Sequence, residues 1–219
     1  MPVGSLRASS RSADSRVVAK LTLDDISDLR AYERERDAFR RQIIDIKRAR
    51  RVAVGPFVTF VFENRDTVRF QIQELARAER MLTDAAIQTE LDIYNRLIPD
   101  ANQLSATLFI ELTSKDELSH WLPKLVGIER AVGLRIGGGA DAVVVSATPE
   151  DDHAARLTRD DVTSSVHYVR FDLADSEVDR FEAEAATGAV SLFLDHPSYG
   201  AETALTGATR AALLSDLRP

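Results

Sequence analysis

From Leu29 onward, apolar side chains recur at helical spacing: Leu29, Tyr32, Phe39, Ile43 and Ile46, with Arg36 filling the gap in the stripe. That period predicts a long amphipathic helix over about 24–50, with Thr22 and Asp25 as a capping-box analogue ahead of it. The pattern then changes. Val52 to Glu63 is apolar and β-branched and is interrupted by Gly55-Pro56, which predicts a short strand, a turn and a strand over 57–62. Glu63-Asn64-Arg65-Asp66 reads as a turn able to cap a helix. Residues 67–82 fit a helix through Val68, Ile72, Leu75 and Leu82; a hairpin strand over 67–72 before a shorter helix is the alternative. Thr83 to Leu97 reads as another helix, with Pro99 just past its end.

Leu104, Ala106, Leu108, Ile110 and Leu112 alternate with polar residues, the mark of a half-buried strand. Ser114 and Glu117 form a capping box for a helix ending near Gly127, which Pro123 shortens or kinks. Residues 132–136 and 143–145 around the Gly137–Asp141 turn read as a hairpin. Residues 149–163 form a polar, acidic loop, the best candidate for a boundary. Strand 166–172, a helix from Asp175 to Gly188, a last strand 189–194 and a last helix 207–217 complete the order. Without regular strand–helix alternation, this predicts an α+β fold: a mixed or mostly antiparallel sheet packed with a long N-terminal helix and several shorter helices.

Composition narrows the chemistry. The 219 residues are 44% apolar and 29% charged, with no cysteine. Disulfides, thiolate nucleophiles and cysteine-ligated metals are therefore excluded for this chain, and in any redox role a partner or bound cofactor carries the electrons. The net charge is −7, unfavourable for coating nucleic acid. Residues 1–19 read as a disordered Arg/Ser leader, and 20–219 as one α+β domain. No apolar run is long enough to span a membrane, and nothing resembles a secretory signal, so a cytoplasmic location is expected.

No motif names a cofactor or a metal. Gly137-Gly138-Gly139 lacks the Lys-Ser/Thr of a phosphate loop and reads as a hairpin turn. The basic end of the first helix complements the helix dipole. No histidine precedes His120, which argues against a carboxylate–histidine iron site in the first half. His167, inside a strand, and His196, beside Asp195 and Pro197, could converge from two strand ends. With Asp195 or Glu111 they would then form a metal or acid–base site.

The motifs Tyr32-Glu33-x-x-Arg36, Arg51-Val52-x-Val54-Gly55-Pro56, Phe62-Glu63-Asn64-Arg65-x-Thr67 and Phe70-Gln71-Ile72-Gln73-Glu74 are followed by Glu90-Leu91-x-x-Tyr94-Asn95-x-Leu97-Ile98-Pro99. Ser165-Val166-His167-Tyr168 and Asp195-His196-Pro197-x-Tyr199 close the set. Together, over roughly 20–200, the chain resembles a bacterial family catalogued only as a domain of unknown function. The resemblance implies genes encoded beside rubrerythrin and a heterodisulfide-reductase-like iron–sulfur oxidoreductase. The expected role is thus a non-catalytic accessory or interaction protein of a redox or peroxide-detoxification system, with those two as candidate partners. The alternative is a small-molecule or metal-binding enzyme with a polar pocket lined by the central helices. Candidate binding residues are Arg65, Gln73, Glu74, Arg77, Glu90, Tyr94, Asn95, His167 and His196, polar groups that are costly to bury unpaired. The heptad-like stripe of the first helix also admits a homo-oligomer.

Overall fold

The structure, a computed structural model, describes residues 18–150 and 162–219. The leader expected over 1–19 and the acidic loop expected over 149–163 fall mostly outside them.

Helix α1 (Leu29–Arg50) starts where the Asp28 carboxylate accepts from the Ala31 N–H at 2.9 Å. The expected start near 24 is thus five residues early. Thr22 and Asp25 do form a capping box, but it closes only a single 3-10 turn, Leu23–Asp25. Strands β1 (Arg51–Val54) and β2 (Val58–Glu63) flank the Gly55-Pro56 turn. Helix α2 (Arg65–Glu79) follows directly, because Asn64 accepts from the Thr67 N–H and Thr67 accepts from the Asn64 N–H. That reciprocal cap resolves 67–72 as helix. Helix α3 (Asp84–Tyr94) is capped by Thr83. Strand β3 (Gln103–Ile110) precedes α4 (Lys115–Trp121), which has its Ser114–Glu117 box and gives way at Pro123 to a 3-10 turn.

Strands β4 (Val132–Ile136), β5 (Val143–Ser146), β6 (Thr148–Pro149), β7 (Val166–Asp172), β8 (Val190–His196) and β9 (Tyr199–Ala204) interleave with α5 (Asp175–Thr187) and α6 (Gly207–Leu217). Strand β9 was not expected, since residues 189–194 read as the last strand.

All pairings are antiparallel, in two sheets ordered β1-β2-β3-β7-β6 and β5-β4-β8-β9. The sheets meet at both margins. On one side β5 runs through Ala147 straight into β6, so a single extended stretch serves both sheets. On the other side the Tyr199 and Thr203 hydroxyls of β9 donate to the Val54 and Ala53 carbonyls of β1, at 2.7 and 2.9 Å. Alternation sends Val52, Phe60, Phe62, Leu104, Leu108, Leu134, Val169, Phe171 and Leu192 inward, and α5 and α6 add Val178, Phe181, Leu213 and Leu217 to the same core. The opposite face of the first sheet lies under α2 and α3, with Val68, Ile72, Leu91, Leu97 and Ile98 buried there. The apolar stripe of α1 turns inward as well; Tyr32 and Ile43 are fully buried, and α1 packs on α2, β2 and α6. The fold is therefore α+β with antiparallel sheets and a long N-terminal helix.

Candidate functional site

Several motif side chains on α2 and at the end of α3 reach the chain's own backbone. The Asn95 amide accepts from the Leu21 N–H and donates to the Leu21 carbonyl, both at 2.8 Å. Gln73, fully buried, does the same to Ser27 at 3.0 and 2.9 Å. Arg65 donates to the Ala19 carbonyl and the Asp25 carboxylate, and Arg69 to the Asp25 carbonyl. Residues 18–28 are thereby tied as a strap across the helical layer, interrupted by the 3-10 turn Leu23–Asp25, with Leu21 buried as its apolar anchor. A side-chain amide presents an N–H and a C=O side by side, the complement of a residue's own C=O and N–H, so these contacts hold main chain whatever the strap's side chains are.

Removing the Asn95 amide should therefore loosen the strap before it loosens the fold. Asn95→Ala is expected to cost about 1–3 kcal/mol and to raise amide hydrogen exchange selectively over residues 18–28. Asn95→Asp keeps the acceptor but sets a carboxylate oxygen against the Leu21 carbonyl, so it should cost at least as much as the alanine. Exchange rising uniformly across the chain would contradict a local strap.

Glu74 accepts both nitrogens of the Arg36 fork, at 2.7 and 2.8 Å, and the Tyr32 hydroxyl at 2.6 Å. Arg36 first, then Tyr32, hold its carboxyl below the usual range. Arg77 pairs with Glu33 at 2.5 Å. Glu74 and Arg77 thus join α2 to α1.

A second group faces the sheet. Spacing of four residues places Glu63, Thr67 and Gln71 along one side of α2 and its entrance. Strand register sets Glu63 beside Ser105, and Thr107 beside Tyr168, on the covered face of the first sheet. Glu63, 3% exposed, accepts the Thr67 and Thr107 hydroxyls at 2.5 and 2.6 Å. Tyr168 shares hydrogen bonds with Gln71 and Tyr94, and burial pushes its phenol up to about 12. Ser105 Oγ is buried with no hydrogen-bond partner among the described residues. Glu90 lies one helical turn before Tyr94 on α3. Of the nine candidates, the structure brings Tyr94 into this cluster; Gln71, Thr107 and Tyr168 complete it. Its phenols, hydroxyls and amide can donate and accept hydrogen bonds, and the two Glu63 oxygens accept from threonine hydroxyls.

The two histidines lie on different sheets and have separate partners. His196 Nδ1 accepts from the Ser198 N–H at 3.2 Å and Nε2 donates to the Val126 carbonyl at 3.1 Å, which fixes the turn between β8 and β9. Glu111 is taken by Thr59 and Arg51 instead. His167, 4% exposed, places Nε2 at 2.9 Å from the Ser164 carbonyl and 3.0 Å from Thr163 Oγ1. A carbonyl can only accept, so Nε2 carries the hydrogen. Nδ1 faces Glu129 Oε2 at 3.7 Å, and that buried oxygen has no hydrogen-bond partner among the described residues. Among the described residues no three histidines or carboxylates are placed to hold a metal ion.

Burial pushes the His167 imidazole below its ordinary value of 6.5, and the Glu129 charge opposes that only in part. The unfolded chain then binds a proton near pH 6.5 that the folded chain takes up only at lower pH. Stability should accordingly fall as pH drops from 6.5 toward the folded value, and His167→Gln should flatten that slope. Urea midpoints measured between pH 7 and 5 give the comparison; parallel slopes for the two proteins would contradict it.

The architecture defines a class: an antiparallel α+β protein whose two sheets close around one core, with a helical layer clamping an N-terminal strap. Residues 20–217 match the family described as "Protein of unknown function (DUF3501)", and the chain belongs to that family. It is also similar to a solved structure from Burkholderia pseudomallei K96243, described as a novel protein of unknown function. That structure is 35% identical, with a TM-score of 0.80, and the match covers 91% of this chain and all of the other. No curated protein matches the chain. No helix among the described residues is long and apolar enough to cross a membrane.

Proposed function

We propose that the protein is a cytoplasmic, non-catalytic accessory or interaction protein of a bacterial redox or peroxide-detoxification system. One observation carries the non-catalytic part. Asn95, Gln73, Arg65 and Glu74, all within the motifs that carry the family resemblance, are spent on the chain's own strap and on joining α2 to α1. Side chains used in this way maintain a shape that another molecule can recognise. The redox part rests on the family resemblance, which implies rubrerythrin and a heterodisulfide-reductase-like iron–sulfur oxidoreductase as partners. With no cysteine in the chain, the partner would hold the electron carriers.

The test is direct binding of the purified protein to each purified partner by titration calorimetry at about 0.1 M salt. Saturable binding to either, at micromolar affinity or tighter, is the expected result; no heat with either protein overturns the reading.

A second reading, a small-molecule or metal-binding enzyme, is favoured by the unpartnered Ser105 Oγ beside the Tyr94–Tyr168 cluster. It requires a metal or small molecule that co-purifies in stoichiometric amount and is lost in Tyr94→Phe. Self-association would need a surface other than the apolar stripe of α1, and light scattering at micromolar concentration reads it.

A further inference from the structure

We propose that the solvent face of α1 is a docking surface for an acidic protein. The inference rests on the interaction-protein reading and adds the surface and the charge of the partner.

The chain carries −7 overall, yet α1 holds Arg30, Arg34, Arg36, Arg40, Arg41, Lys47, Arg48 and Arg50 against Glu33, Glu35, Asp37 and Asp45. Its inward cations are accounted for by Glu74 and Asp216. On the outward face, Arg30, Arg34, Arg40 and Arg41 are exposed and form no ion pair with another described residue; Arg48 is paired only with neighbouring Asp45. At 100° per residue these arginines flank Ile44, which is 48% exposed. From Arg30 to Arg48 the stripe runs about 27 Å. Arg40, Arg41 and Arg48 lie within about one turn of Ile44, joining an apolar contact to arginines as protein interfaces do, and Arg34 and Arg30 extend the same face toward the N-terminus.

Three features favour an acidic protein over nucleic acid. Glu33, Asp37 and Asp45 interrupt the stripe, so its cations fit carboxylates set at separate positions and not an unbroken row of phosphates. The nearby rings of Phe39 and Phe70 pack edge to face on each other at 5.6 Å and each already carries a cation, Arg69 at 4.9 Å and Lys47 at 6.0 Å, so they are not set out as a stacking platform. Ile44 adds an apolar contact for which a phosphate backbone has no counterpart.

The experiment measures fluorescence anisotropy of a labelled helical peptide bearing glutamates at four-residue spacing and leucines on the adjoining face. A glutamate-only peptide, a single-stranded oligonucleotide and phosphatidylserine vesicles are titrated in parallel with the full chain. The amphipathic peptide should bind more tightly than the glutamate-only one and weaken as salt rises from about 0.05 to about 0.2 M. Arg34→Glu with Arg41→Glu should weaken binding about tenfold or more, with unchanged melting temperature. Ile44→Ser should weaken it about fivefold and leave the salt dependence intact. Indifference to the charge reversal overturns the proposal. So does tighter binding of the oligonucleotide or the vesicles that depends on the same arginines. If rubrerythrin or the oxidoreductase binds wild-type and charge-reversed protein equally, the surface is wrong and the accessory role stands. If the peptide result holds and neither protein binds, the surface stands and that role fails.

Discussion

Asp216→Ala is expected to destabilise the protein by about 3–5 kcal/mol, read as a lower urea midpoint at unchanged slope. Asp216 on α6 receives the Arg50 fork at 2.5 and 2.8 Å, with side-chain exposures of 7% for Arg50 and 12% for Asp216. Removing the carboxylate strands a guanidinium where water barely reaches. Burial holds Asp216 above its ordinary carboxyl value even against the two arginine bonds. Desolvation therefore outweighs what the pairing returns. The double substitution Arg50→Met/Asp216→Leu should consequently recover most of what either single truncation loses. A single-variant loss below about 1 kcal/mol would show that the pair is effectively solvated.

The second large effect is expected at a glycine. Gly55 has φ +75°, and a Cβ there would lie 2.4 Å from Tyr199 Oη, 2.9 Å from its Cζ and 3.0 Å from Ala201 Cβ. Gly55→Ala combines left-handed strain with eviction of the hydroxyl that closes the margin between β1 and β9, about 2–4 kcal/mol in all. Gly133 is the control. A Cβ there would meet the Phe193 ring at 2.3 Å, but without a left-handed backbone, and the half-buried ring lies on the open face of the second sheet, where it can swing aside. Gly133→Ala should cost about 1 kcal/mol or less. Equal drops in melting temperature for the two variants would contradict this account.

Local rules in the sequence were enough to locate the helix caps at Thr83 and Ser114, a capping turn over 63–66, the alternation of β3 and the span of β7, because those signals need no distant partner. Strand β9 escaped for the opposite reason. Tyr199-Gly-Ala-Glu-Thr-Ala has little β-branched content, and it becomes a strand only through pairing with β8 across Pro197-Ser198. That two-residue spacer was the available signal. The start of α1 was misplaced because residues 26–28 are held extended from outside, by Gln73 on α2. The same limit applies to the site. Polarity and spacing singled out Gln73, Glu74, Tyr94 and Asn95 as costly to bury, but a carboxamide aimed at a ligand and one aimed at a peptide bond look alike in sequence. His167 and His196 sit on strands whose sheets could be assigned only from the pairings themselves.

The margin at which β9 meets β1 sets a timetable for synthesis. Tyr199 lies 145 positions beyond the carbonyl it caps, and Asp216 lies 166 beyond Arg50. A nascent chain therefore carries β1 with its outer edge open while nearly all the remaining strands emerge from the ribosome. Such an edge is a template for strands of other chains. Premature termination anywhere between β2 and β9 should thus yield fragments that aggregate, with β1 as the sticking point.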